Sequence, residues 1–286
     1  MNFKLKILAL LSCLFLMAPT VANAQDDTEK TLDILFIGNS FTFFNSLDQT
    51  VGNMLTVSGI PTNATRSAPG GWRFRLHYNG EIPEKNYNGA PTPEMIKLRK
   101  WDYVVLQEFS SGSVEQYKDF MEYGQKLVDL IHENSPETKI ILYQTWERCD
   151  GMFEGYGDDE ARKDEVIAAW TKRYKEPSEE TVAQLKTGIQ GAYDDLQKAT
   201  DSTLAPVGKA FLTVGDKIDL YGAEGKARPF HPNPCGTYLA GCVFFKTITG
   251  KSPVGLWQKL SDAGKDHKVT EEDATYLEKI ADKVVE

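Results

Sequence analysis

A serine that follows a buried strand and opens a turn into a helix is placed to act as a nucleophile. Gly38-Asn39-Ser40-Phe41-Thr42 has that setting. The run before it, Leu32-Asp33-Ile34-Leu35-Phe36-Ile37, is short and apolar and ends in Gly38, as a buried strand should. A hydroxyl on such a turn points outward. The serine's own N–H lies at the start of the next helix, where a developing oxyanion gains stabilisation from the helix dipole. The same position also suits a plain helix cap, and the segment alone leaves both readings open. Thr42 breaks the G-x-S-x-G pattern of the other common nucleophile turn.

Several elements must position this serine. Trp101–Gln107 and Lys139–Thr145 form two more apolar runs of strand length, and a weaker strand is expected at 63–67. Residues 205–211 (APVGKAF) are expected to form an edge strand. Helical periodicity appears at 45–57, 114–133, 181–199, 235–248 and 271–285. Short buried strands alternating with helices call for an α/β fold with a parallel sheet covered on both faces. In such sheets the site gathers beyond the C-terminal strand ends, where Ser40 lies. Residues 148–180 interrupt the rhythm with a long acidic insertion, read either as a wall over the site or as a surface decoration.

The segment ILFIGNSFT at 34–42 resembles the first signature block of the GDSL/SGNH hydrolases, with Asn39 where many members carry aspartate. Pro69-Gly70-Gly71-Trp72 falls where that family places its oxyanion-hole glycine, which implies Gly71 and then Gly70. Leu106-Gln107-Glu108 falls where the family usually has an asparagine. The resemblance implies Gln107 as the side-chain amide donor, and a polar strand end without a role is the alternative. His231-Pro232-Asn233-Pro234-Cys235-Gly236 resembles the family's His-Pro-x-x-x-Gly segment and implies His231 as general base. Of the four histidines, His132 and His267 lie in polar surroundings, and His77 follows the Gly71 loop closely enough to line a pocket.

The family's aspartate three residues before the histidine is missing, because Arg228 stands there. Glu224 is the preferred substitute for orienting His231, with Asp219 or a backbone carbonyl as alternatives. Asn39, Trp72, His77 and Trp146 are candidate substrate contacts. Trp170 is a further candidate for stacking on a sugar, although core packing explains such tryptophans equally well. The resemblance spans roughly residues 31–250 and implies a three-layer α/β/α sandwich with a parallel sheet of about five strands, the flavodoxin-like SGNH fold. It also implies ester hydrolysis through a Ser40 acyl-enzyme, with no cofactor and no metal.

Composition narrows the partners. Lys4, Lys6, the apolar run 7–17 and Ala22-Asn23-Ala24 together form a secretory signal expected to be cleaved after residue 24, and 25–30 is a polar tail. Cys13 lies inside the apolar run, and the Ala-x-Ala site argues against a lipid anchor there. The formal net charge is -9, and loss of the two leader lysines makes it -11. So acidic a chain disfavours nucleic acid and anionic lipid and suits a neutral small-molecule or glycan ester. No permanent membrane span is expected. Cys149, Cys235 and Cys242 would then remain; they are read as small buried residues without a helix-internal bridge or zinc. A lipid or short-chain ester is the nearest alternative substrate. An acyltransferase shares the machinery, and a glycan-binding module that has lost its acid is the alternative of another class.

Overall fold

A computed structural model describes residues 30–82, 89–146, 157, 159–174, 178–222, 230–265 and 268–285. The strands are β1 (Leu32–Ile37), β2 (Thr62–Ser67), β3 (Tyr103–Leu106), β4 (Lys139–Tyr143) and β5 (Thr203–Ala205). The helices are, in chain order, α1 (Ser40–Phe43), α2 (Leu47–Thr56), α3 (Phe74–Tyr78), α4 (Thr92–Lys97), α5 (Gly112–Glu115), α6 (Tyr117–Asn134) and α7 (Glu160–Tyr174). They continue as α8 (Glu179–Leu185), α9 (Gly188–Thr200), α10 (Val207–Val214), α11 (Pro234–Thr249), α12 (Leu256–Asp262) and α13 (Glu271–Val284).

The five strands pair in the order β2-β1-β3-β4-β5, and every pairing is parallel. A parallel sheet must be covered on both faces, and the side chains of β1 divide accordingly. Ile34 and Phe36 join a core with residues of α2, α10, α11 and α13, while Leu35 and Ile37 join a second core with residues of α6 and α9. This is the expected three-layer α/β/α sandwich. The strand order reverses at β1, whose neighbours are β2 and β3. The crevice at the C-terminal ends of β1 and β3 is therefore the topological switch point at which such sheets bind ligands.

Two element boundaries differ from the sequence reading. The expected edge strand 205–211 is mostly helix: β5 ends at Ala205, Pro206 caps, and α10 begins at Val207. Val207, Ala210, Phe211 and Val214 are buried at helical spacing, a period that a short apolar run does not reveal. The single helix expected at 181–199 is two, α8 and α9, because Gly188 takes a left-handed φ of 64°. Within the acidic insertion, Val166 and Trp170 of α7 are buried in the second core, beside Leu185 of α8. α7 is therefore packed against the second core. No helix among the described residues is long and apolar enough to cross a membrane. The leader, Cys13, Cys149 and His267 lie outside the described residues. Cys242 is buried as expected, whereas Cys235 is partly exposed; both thiols are free.

Candidate active site

The turn between β1 and α1 carries Ser40. Gly38 must lack a side chain: a Cβ there would lie 2.4 Å from Thr42 Oγ1 and 2.6 Å from Gln107 Oε1. Asn39 is the N-cap, its Oδ1 accepting from Phe41 N at 3.2 Å. The same oxygen accepts from Gln107 Nε2 at 3.0 Å, and Asn39 Nδ2 donates to the carbonyl of Trp72 at 2.9 Å. That last bond accounts for the amide at this position. An aspartate would set a carboxylate oxygen against a carbonyl oxygen.

His231 reaches the turn from the other end of the chain. Its Nε2 lies 2.7 Å from Ser40 Oγ, at hydrogen-bond distance; in the tautomer with the proton on Nδ1, the hydroxyl donates and the ring accepts. This is the geometry a general base requires. The imidazole is gripped by aromatic rings, stacked on Phe44 at 4.2 Å between centroids, tilted against Phe230 at 4.3 Å and edge-on to Phe41 at 5.7 Å. Such ring contacts contribute about 0.5–1.5 kcal/mol each and leave the ring little freedom. The backbone of the histidine segment is tied down as well. Gly222 N donates to the His231 carbonyl, Asn233 N donates to the Leu220 carbonyl, and Asn233 caps α11 through Gly236 N. Asn45 Nδ2 donates to the Pro232 carbonyl at 2.9 Å and to Thr237 Oγ1 at 3.1 Å.

Asn45 escaped the sequence reading. It links the loop after the nucleophile to the loop bearing the base while sitting at a left-handed φ of 51°. The signal available was its residue type, since asparagine tolerates that conformation better than most.

Gly71 sits at φ 74° in the four-residue turn closed by Trp72 N to the Pro69 carbonyl at 3.3 Å. A side chain at that φ would be strained, so the turn requires its glycine. The turn is tied to the nucleophile segment through the Trp72 carbonyl and Asn39.

Six other expected site residues need correction. Gln107 is fully buried and its amide is committed. Nε2 donates to Asn39 Oδ1 and to the Glu108 carbonyl, while Oε1 accepts from Asn39 N at 3.0 Å and from Thr42 Oγ1 at 3.0 Å. With both amide hydrogens engaged, Gln107 props the nucleophile turn from beneath and has no hydrogen left for an oxyanion. His77 does not line a pocket, being 0% exposed. Its Nε2 donates to the Gly38 carbonyl at 2.8 Å and its Nδ1 accepts from Thr92 Oγ1 at 2.7 Å, which in turn meets Ser67 Oγ at 2.8 Å. Burial lowers the His77 pKa to about 4, so the ring is neutral. Trp146 is buried too, stacked on Phe41 and Phe211, and its Nε1 donates to the Phe230 carbonyl at 3.0 Å. It supports the histidine segment and presents no face to a sugar. Trp72, 8% exposed, packs edge-on against His77, and Asn39 is 2% exposed; neither offers substrate a surface. Trp170 is buried as well.

Glu224 and Arg228 lie outside the described residues. Asp219 turns its carboxylate onto its own loop, Oδ1 accepting from Tyr221 N at 3.0 Å. Glu108 is also notable: fully buried, it binds Phe74 N through Oε2 at 2.9 Å and Phe109 N through Oε1 at 2.7 Å. Burial raises its pKa to about 7 against the lowering pull of those two bonds and of Arg73.

No family model and no curated protein matches the chain. Solved structures do. A protein from Slackia heliotrinireducens proposed to be an SGNH hydrolase is 23% identical with a TM-score of 0.55, the match covering 77% of this chain and 100% of that one. A DUF4886 family protein from Bacteroides uniformis is 17% identical with a TM-score of 0.59, covering 90% and 95% respectively. A protein from Parabacteroides merdae proposed to be a GDSL-like lipase is 12% identical with a TM-score of 0.50, covering 77% and 96%. These likenesses establish that the chain has the SGNH hydrolase fold.

Proposed function

We propose that this protein is a serine ester hydrolase of the SGNH type, with Ser40 as nucleophile and His231 as general base. The observation that carries the reading is the 2.7 Å bond between Ser40 Oγ and His231 Nε2, made across the chain at the switch point of the sheet. A chance pairing of two surface groups would not be braced on both sides. Here Asn39, Gln107, Thr42 and His77 fix the serine's turn, and Phe44, Phe230, Trp146 and Asn45 fix the histidine.

In the proposed reaction His231 Nε2 takes the Ser40 proton as Oγ attacks the ester carbonyl. The oxyanion faces the N–H groups of Ser40 and Gly71. His231 returns the proton to the leaving alcohol, and water repeats the cycle on the acyl-enzyme. Glu224, or a backbone carbonyl, holds the imidazolium.

The substrate we propose is a neutral ester carrying a small acyl group, with an acetylated glycan as the leading case and a lipid or short-chain ester as the alternative. The net charge of -9 supports a neutral substrate, and the signal expected at 1–24 would place it outside the cytoplasm. The tryptophan argument for a sugar falls away, because Trp72, Trp146 and Trp170 are buried. Turnover of p-nitrophenyl acetate by wild type and Ser40→Ala tests the reading. Loss of at least a thousandfold is expected; equal rates would return the chain to a binding role.

A further inference from the structure

We propose that Glu108 is a positioning residue for the oxyanion side of the site: its carboxylate clamps the Gly71 turn to the end of β3 and so sets where that turn stands relative to Ser40. This rests on the esterase reading above.

The clamp is made of two bonds to two separate segments. Oε2 accepts from Phe74 N at 2.9 Å, two residues beyond the Trp72 carbonyl that holds Asn39. Oε1 accepts from Phe109 N at 2.7 Å, fixing the carboxylate to its own strand end. Glu108 is itself anchored, its N–H donating to the Tyr193 hydroxyl at 3.2 Å. The chain is shaped around this carboxylate, since a Cβ on Gly112 would lie 2.7 Å from Oε1. The links therefore run from β3 through Glu108 to Phe74 N, back two residues to the Trp72 carbonyl, and on to Asn39 beside the nucleophile. Gly71 adjoins that loop of contacts, in the turn that Trp72 N closes onto the Pro69 carbonyl.

Keeping both bonds at full strength favours an ionised carboxylate: a protonated one still accepts at its carbonyl oxygen, while its hydroxyl oxygen becomes a donor and a weaker acceptor. The charged and titratable groups facing Glu108 are Arg73 before α3, Arg75 in α3, Asp119 from α6 and Tyr193 from α9. Arg75 and Asp119 pair with each other at 3.8 Å. Arg73 lies over the Phe109 ring at 4.7 Å and favours the charged form, while Asp119 and burial oppose it. Burial dominates, bringing the carboxyl to about 7. As the pH falls through that value, the clamp takes up a proton and the turn loses one of its ties.

Displacing an oxyanion donor weakens the transition state more than substrate binding, so the effect belongs in kcat and not in KM. The experiment is hydrolysis of p-nitrophenyl acetate by wild type, Glu108→Gln and Ser40→Ala between pH 5 and 8.5. Thermal melts and amide hydrogen exchange are measured on the same samples. Glu108→Gln keeps the size but can accept only one of the two bonds. Its kcat is expected to be about tenfold lower at pH 8 with KM within about twofold of wild type. Its acid limb should lack the additional drop, of about tenfold, that protonation of Glu108 adds to wild type. The amides of Phe74 and Phe109 should exchange faster while those of β1 and β3 do not. Wild-type kcat and an unchanged acid limb in Glu108→Gln would overturn the proposal. So would a kcat loss that merely matches the fraction unfolded. If Glu108→Gln does not fold, the wild-type profile decides, and an acid limb without that additional drop refutes. Ser40→Ala as active as wild type would instead remove the esterase reading itself.

Discussion

Replacing Asn39 by aspartate inverts one hydrogen bond next to the nucleophile and should make stability depend on pH. In the native turn, Asn39 Oδ1 accepts two N–H donors, and Nδ2 donates to the Trp72 carbonyl at 2.9 Å. An aspartate keeps the first oxygen satisfied. Its second oxygen faces a carbonyl, and the position is 2% exposed. Ionised, it would put a buried charge against an acceptor. Protonated, its O–H would replace the lost donor. The folded pKa must therefore rise above the unfolded value of about 3.9, by roughly two to three units for a site this buried. The sign follows. Below about pH 4 the residue is protonated in both states, and the variant resembles wild type. As pH rises, the unfolded chain loses its proton first, and the stability difference widens until the folded pKa is passed. At about 1.4 kcal/mol per unit, the full loss is about 3–4 kcal/mol at pH 8. For a chain of this size that lowers Tm by on the order of 10 °C. Urea unfolding of both proteins at pH 4.5, 6 and 8 measures it. A gap that stays constant with pH, or none at pH 8, would show that the Trp72 carbonyl does not select the amide.

Other residues give separate tests. His77→Phe should remove the Gly38 brace and with it a pH dependence: the native ring's pKa is about 4 against 6.5 unfolded. Wild type therefore loses about 3 kcal/mol of stability as pH falls from 6.5 to 4, keeping it above 6.5, and the variant should not show that loss in denaturant midpoints. Trp146→Phe keeps the ring stack but removes the bond to the Phe230 carbonyl, so kcat should fall about tenfold with a stability cost of about 1 kcal/mol. Unchanged kcat for p-nitrophenyl acetate would exclude Trp146 from holding His231. Asn45→Ala should loosen the histidine loop, lowering kcat while KM stays near wild type, as read from initial rates.

The layers and the two reacting groups were legible because they depend on local signals. β1, β3 and β4 are apolar runs at strand length, and Ser40 and His231 carry flanking residues that set them on turns. The pairing at 2.7 Å is consistent with the sheet order, since β1 is an interior strand at the switch point and the loop before α11 brings His231 to its end. What escaped was everything set by long-range burial. A tryptophan or histidine beside an active-site loop reads the same whether it faces substrate or core. Trp146 and His77 proved to face the core because the elements covering them come from distant sequence. Gln107 looked like an oxyanion donor because its amide hydrogens are free on paper; only the placement of Asn39 and the Glu108 carbonyl shows them engaged. The start of α10 escaped for a different reason, as seven residues with one proline hold too little periodicity to separate strand from helix.

The nucleophile itself can be tested without knowing the substrate. Treatment with a fluorophosphonate at pH 8, followed by digestion and peptide mass mapping, reports which hydroxyl is activated. One adduct per chain is expected, on the peptide containing Ser40, absent from Ser40→Ala and strongly slowed in His231→Ala. An adduct on another serine, or equal labelling in Ser40→Ala, would contradict the assignment of the Ser40–His231 pair.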